Sequence, residues 1–414
     1  MGNRDVNDTE RAEIVIIGGG AVGCGVAYSL AEAGKTDVLL IEKEPTVAAV
    51  TTSQAAGLVG QVRNSVERTK LAMWSVRTFS QLQQDERANP GWRQVGSLRI
   101  ALCDERVEEF KRMKMVADQA GLDVTFIDNQ TAQGKWPAMN FDHVKAILWC
   151  ASDGYLQPSD LTMAYVAHAR RKGVRFQTNR TVHNVLVKEG RVVGVETDQG
   201  TIHCETVINA AGAHAFQIAR NVGLELPIVP VRHEFFVTIS AKGMQPNLPV
   251  IRIPDATLYL RAETNALLCG GWETTSLSSD PRDVPIDKDL PNIQNDWEVL
   301  GQFAEQLAPH MPQIPDLGIR SVFKGWPTFT PDGRFIIGES HRVRGFVMAG
   351  GCNAHGVSGS AGIGRHVVEA MLQSDPSPYV KSLSPNRFSE TTWEWETAKK
   401  QARHCYETYY DLGH

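Results

Sequence analysis

The chain has 414 residues, 42% of them hydrophobic and 21% charged, with a formal net charge of −5. This length suits two domains better than one core, and the acidic balance without any Lys/Arg cluster argues against nucleic acid as a partner, leaving small-molecule chemistry as the default. The first ten residues hold no apolar export core and no apolar run is long enough to span a bilayer; the seven cysteines stand far apart without metal-ligand spacing, so a cytoplasmic, metal-free protein without disulfides is expected.

Ile14-Val15-Ile16-Ile17 reads as a buried parallel strand, and Gly18, Gly20 and Gly23 after it satisfy G-x-G-x-x-G on the way into a helix reaching Leu30. Gly18 allows a sharp turn, Gly20 lets bare backbone approach a pyrophosphate, and Gly23 lets the helix pack close to the sheet. That helix directs free N–H groups and its positive dipole end at the phosphates. A second strand, Val38–Ile41, ends in Glu42 at the spacing where a carboxylate reaches the ribose hydroxyls. An adenine dinucleotide follows, with FAD and NAD both open at this point.

Thr51–Arg63 is small, polar and glycine-punctuated, as suits a loop folding back over the dinucleotide. Apolar spacing predicts a helix over 65–84, a strand over 95–102, an exposed charged helix over 105–120 and a strand over 124–127. A capped helix is expected from Leu161 to Lys172, then strands over 174–177, 181–187, 192–197 and 206–214, the last returning beside the first nucleotide strand. From Leu226 to Gly271 strand patterns dominate and imply an antiparallel sheet, covered by a helix over 296–307. A turn at Pro331-Asp332-Gly333 leads to a short strand. Gly345–Gly351 is another strand, and the glycine-rich stretch after it opens the helix 365–372 and offers a second helix N-terminus, suited to flavin oxygens. The aromatic tail beyond Ser374 is expected to wrap the surface or an interface.

The order of these pieces resembles the D-amino-acid-oxidase-like, or glutathione-reductase-2 type, flavoproteins, and most of all the flavin half of dimethylglycine and sarcosine dehydrogenases. The resemblance rests on 14–23, 51–58, 96–101, 154–163, 206–213, 230–237, 331–338 and 350–364. It implies an α/β fold: a doubly wound FAD-binding domain with a discontinuous antiparallel-sheet substrate domain. The expected divisions are 11–85, 150–225 and 320–375 for the FAD domain, 86–149 and 226–319 for the substrate domain, and 376–414 for the tail.

The resemblance also selects FAD over NAD. It implies cofactor contacts from Gly18, Gly20, Ala21, Val22, Gly23, Glu42, Lys43, Thr52, Ser53, Gln54, Val182, Ala211, Gly212, Gly351, Asn353, His355, Gly356 and Val357. Relatives attach flavin covalently through a histidine where this chain has Gln54, or a cysteine where it has Gly325, so noncovalent FAD is expected. The implied reaction is oxidation of a small secondary or tertiary amine of the N-methyl amino acid type. Hydride passes to flavin N5, and the resulting iminium hydrolyses to aldehyde and amine.

His233 and Tyr259 match substrate-side positions, where a near-neutral imidazole can take the ammonium proton and a phenol can hydrogen-bond a carboxylate. For the carboxylate Arg63 comes first, followed by Arg252, Arg261 and Lys324. The lysine that grips it in sarcosine oxidase matches Ser358, and His355 is expected to compensate. No lysine stands between Gly243 and Asp287 to assist oxygen, which favours transfer of electrons to an acceptor protein or quinone. Larger relatives continue into a folate-binding half that captures the released carbon; here the expectation is either a longer chain, or formaldehyde that leaves free or passes to another subunit. Two competing readings are a 2-hydroxy-acid or glycerol-3-phosphate flavin dehydrogenase, and a flavin-binding subunit of a larger complex.

Overall fold

The computed structural model describes residues 10–389 and 392–412. Ile14–Ile17 lies inside a six-stranded sheet ordered Ile336–Glu339, Phe346–Gly350, Thr206–Asn209, Ile14–Ile17, Val38–Ile41, Arg175–Gln177. Neighbours run parallel except for the first pair. Both faces are covered, which is why these strands are uniformly apolar rather than alternating. Ile14 and Ile16 pack under helices Ala21–Glu32, Pro158–Arg171 and Ser360–Leu372. Val15 and Ile17 face a four-stranded sheet (Glu10–Arg11, Gly200–His203, Arg191–Thr197, Val182–Lys188) and the short helix Ala215–Arg220.

The second half is built on an eight-stranded sheet ordered Ile319–Gly325, His233–Ser240, Ala266–Gly271, Leu258–Glu263, Val250–Ile253, Ser97–Ala101, Ala146–Cys150, Thr125–Ile127. It is antiparallel apart from the contact between Val250–Ile253 and Ser97–Ala101. Helix Trp297–Leu307 closes one face through Leu300, Phe303 and Leu307.

Ile319–Gly325 pairs with His233–Ser240 at the edge of this sheet. One expectation needs correction. The helix Asp104–Ala120 is not simply exposed: Phe110, Met113 and Ala117 are buried, and Arg106 forms an ion pair with Asp255 at 2.8 Å. The tail is two-faced: Glu396, Lys400 and Gln401 stay exposed while its apolar side packs inward. Its helix Trp395–Glu407 buries Trp395, Ala402 and Tyr406, with Tyr410 beyond, against Phe216, Val229, Trp272 and Phe329.

Candidate functional site

The chain leaves Ile17 through Gly18 at φ +108°, where a side chain would also collide with the Ala210 backbone. Gly20 then begins the helix Ala21–Glu32, and Thr52 Oγ1 accepts from the Ala21 N–H at 3.1 Å, tying the following loop to the helix start. At the end of the next strand, Glu42 accepts from the N–H groups of Gly19 (2.5 Å) and Glu44 (2.9 Å). Burial raises its carboxyl above the usual range, and those hydrogen bonds oppose the rise. Each oxygen keeps a lone pair for a further donor, as ribose hydroxyls would be.

A cavity of about 480 Å³ runs from Gly18, Gly20, Glu42 and Lys43 past Val182, Ala211 and Gly212 to Gln54, Lys324 and Gly325. It adjoins a second of about 210 Å³, with Gly20, Thr52, Gln54 and Gly325 on the shared border. A glycine turn, an acceptor at one end and an elongated continuous space fit a dinucleotide whose far ring reaches the second cavity. Gln54 and Gly325 face each other there: a Cβ on Gly325 would stand 3.3 Å from that of Gln54.

The second cavity joins Ala21, Val22, Gly356 and Val357 to Arg63, His233, Arg252, Tyr259, Trp272, His355 and Tyr409. Arg63 and Arg252 flank Gly60, and among the described residues no carboxylate lies within ion-pair distance of either. Arg63 Nη1 donates to the Val62 carbonyl at 2.9 Å, and Arg252 Nη1 to the Tyr410 hydroxyl at 3.0 Å. Burial, with Arg252, Arg68 and Arg99 nearby, lowers the Arg63 guanidinium to about 10, so it is still charged at neutral pH. Two guanidinium groups that make no ion pair among the described residues, in a cavity wall with the buried Asp153 approaching the same Gly60 backbone, form a site for an anionic ligand group.

On the strands of the second sheet, His233 Nε2 is 2.7 Å from the Tyr259 hydroxyl and Nδ1 is 3.0 Å from that of Tyr406. Burial pushes His233 down to about 4, which keeps the ring neutral near pH 7. Trp272 stacks on Tyr409 with centroids 3.8 Å apart and planes 10° from parallel, forming an aromatic wall beside His233.

Several expected residues sit elsewhere. Ser53 turns its hydroxyl to the carbonyls of Ala49 and Val50, away from both cavities. Asn353 braces the terminal glycine loop, accepting from Thr330 N–H (3.1 Å) and donating to the Gly351 carbonyl (2.6 Å), so it and Gly351 shape the wall from behind. Gly23 is a packing position, since a side chain there would strike the Gly18 carbonyl. His355 cannot replace a cationic lysine. Its Nδ1–H donates to the Asn353 carbonyl at 2.6 Å, and Nε2 accepts from the Tyr409 hydroxyl at 3.1 Å. Burial, with Arg63 beside it, holds it well below its ordinary value and therefore neutral. Arg261 is committed to Glu263 and the Ala56 carbonyl, and Lys324 lines the first cavity instead of the second. Tyr406 and Tyr409 stand out in the sequence only as aromatic residues of the tail, where Trp395, Ala398, Ala402 and Tyr406 recur at helical spacing; Trp272 and Glu273 carry no sequence signal of a role in the site.

A glycine turn under a dinucleotide-length cavity, opening onto a chamber lined by cations, hydroxyls and aromatic rings, defines a two-domain dinucleotide-dependent oxidoreductase. Residues 13–370 match the FAD dependent oxidoreductase family, DAO, and the chain belongs to that family; FAD is its cofactor. It is 30% identical over 375 residues to 4-methylaminobutanoate oxidase (formaldehyde-forming) of Paenarthrobacter nicotinovorans, a match covering 91% of this chain and 45% of that protein. It is also 30% identical over 406 residues to the mitochondrial dimethylglycine dehydrogenase of Rattus norvegicus, covering 96% and 47%. The chain thus spans about half the length of the curated relatives it matches. Among solved structures, L-proline dehydrogenase from P. horikoshii shares the fold with a TM-score of 0.83 at 24% identity, over 92% of this chain and 99% of that one. Among the described residues, no helix is long and apolar enough to cross a membrane.

Proposed function

We propose that this chain oxidises a small secondary or tertiary amine that carries a carboxylate, the N-methyl amino acid type. The observation that carries the reading is the second cavity, where Arg63 and Arg252, neither in an ion pair, share one chamber with the neutral His233–Tyr259 pair. When bound, the flavin supplies the two-electron acceptor for the C–H next to nitrogen. The protein's tasks are to anchor the carboxylate through the guanidinium groups, to receive the ammonium proton at the Tyr259–His233 pair, and to exclude water with Trp272, Tyr409 and Trp326. The relatives' names, which describe N-methylated amino acids as substrates, support this choice over a 2-hydroxy acid. Gln54 and Gly325, at the places of covalent anchors in relatives, support noncovalent FAD.

The test is anaerobic bleaching of the flavin by a panel of dimethylglycine, 4-methylaminobutanoate and proline, against 2-hydroxy acids and glycerol 3-phosphate. Bleaching by an N-methylated amine with release of formaldehyde is expected. Bleaching by a hydroxy acid alone would overturn the reading, and no bleaching by any compound would point to a flavin-binding subunit.

A further inference from the structure

Tyr259, His233, Tyr406 and Glu273 form a chain in which one anchor determines every hydrogen. Glu273 lies against Arg232, whose Nη2 contacts its Oε2. The other oxygen, Oε1, lies 3.3 Å from the Tyr406 hydroxyl, and as part of a carboxylate it can only accept. Tyr406 therefore donates to Glu273 and accepts from His233 Nδ1–H at 3.0 Å. With Nδ1 protonated, Nε2 of the neutral ring is an acceptor, and Tyr259 donates to it at 2.7 Å. The Tyr259 oxygen is left with its lone pairs for the cavity that it lines.

We infer that this chain is a proton relay, with Tyr406 and Glu273 as positioning residues that aim the Tyr259 oxygen at the substrate ammonium and carry its proton away from the cavity. The inference rests on the amine reading above. In the step, the substrate N–H bond breaks as an O–H bond forms on Tyr259. The Tyr259 proton moves to His233 Nε2, the Nδ1 proton to Tyr406, and the Tyr406 proton to Glu273 Oε1. One proton leaves the ammonium, one arrives on Glu273, and no electrons change hands; the nitrogen lone pair is freed for C–H cleavage.

The surroundings suit this direction. Burial raises the Glu273 carboxyl and Arg232 opposes the rise; Glu234 and Asp296 are the other acids around that guanidinium. Tyr259 is faced by Cys269, Tyr410, Arg252 and Arg261, with no carboxylate among them to compete for the proton. Tyr406 comes from the helix Trp395–Glu407, outside the family match at 13–370, so the relay is completed by a segment that the family pattern does not include.

Two variants of the holoenzyme test it, Tyr406→Phe and Glu273→Gln, with FAD content and melting curves as folding controls. Nitrogen-15 spectra of labelled histidines, assigned with His233→Asn, should show His233 as the Nδ1–H tautomer in the wild type and a loss of that preference in Tyr406→Phe. In anaerobic flavin reduction by a reactive amine, both variants should move the acid limb of the pH profile up by about one unit while the alkaline plateau stays within roughly threefold, because free amine needs no relay. A residue that only packs would lower the rate equally at every pH. An Nε2–H tautomer in the wild type, or an acid limb unmoved in both variants while amines still bleach the flavin, overturns the relay alone. Failure of every amine to bleach the wild type overturns the functional reading and the relay with it.

Discussion

Arg63 and Arg252 stand in the wall of a largely apolar chamber without a carboxylate partner, an arrangement that costs stability until an anion arrives. Replacing either with methionine should therefore raise the KM for a carboxylate-bearing amine by roughly 10- to 100-fold, the value of one charge-assisted contact, with a smaller effect on kcat. Steady-state kinetics with the acid and its methyl ester check this; equal losses for both compounds would contradict it. His233 makes a second prediction through pH. Its folded value, pushed down by burial from 6.5 to about 4, means that the unfolded chain takes up a proton first as pH falls. The stability that comes from keeping the ring neutral is present in full above about 6.5 and is lost as pH falls toward 4, on the order of 3 kcal/mol in all. Melting temperature measured from pH 7 to 4.5 should fall more steeply for the wild type than for His233→Asn. Parallel slopes would show that another group dominates.

Among the elements, the helix Trp395–Glu407 changes the picture most. Trp395 and Tyr406 are buried against the strands around Trp272 and Phe329, so Trp395→Ala should cost about 3 kcal/mol. It should weaken ligand binding in the second cavity through Tyr409 while FAD content stays close to the wild type, as flavin absorbance and ligand-induced spectral shifts would show. Loss of FAD in step with ligand binding would place the helix's role elsewhere. The elements differ in how far the sequence discloses them, for physical reasons. Ile14–Ile17 and Val38–Ile41 are buried on both faces, and a run of β-branched and apolar residues states that directly. Val250–Ile253 and Ala146–Cys150 are short, and Arg252 interrupts the first because its side chain serves the cavity rather than the core; neither stood out. His233 and Tyr259 are named from resemblance, but Tyr406, the other partner of His233, lies 173 residues further along the chain. Sequence spacing does not reveal a hydrogen bond closed by tertiary packing. In the tail, Lys399, Lys400, Arg403 and His404 mask the apolar stripe that docks.

At the scale of the molecule, two sheets meet along a dinucleotide-length cavity, and the proposed noncovalent hold on FAD would rest on shape and hydrogen bonds. Precipitating the holoenzyme with acid should leave FAD in the supernatant. Flavin remaining with the pellet would reveal a covalent link at a residue other than those at Gln54 and Gly325. Gly18→Ala should reduce FAD occupancy, because the positive φ and the Ala210 backbone leave no room for a methyl group.

The strand order of the nucleotide sheet also has a kinetic consequence. Ile14–Ile17 is made early, but its neighbour Thr206–Asn209 comes from mid-chain and the next strand, Phe346–Gly350, from far later. Such non-local pairing folds slowly and leaves hydrophobic strand edges open during synthesis. The phosphate-binding turn thus exists in sequence long before the wall that completes its cavity. FAD is therefore expected to bind late in folding, so that its cellular supply governs how much polypeptide escapes aggregation as well as how much is active.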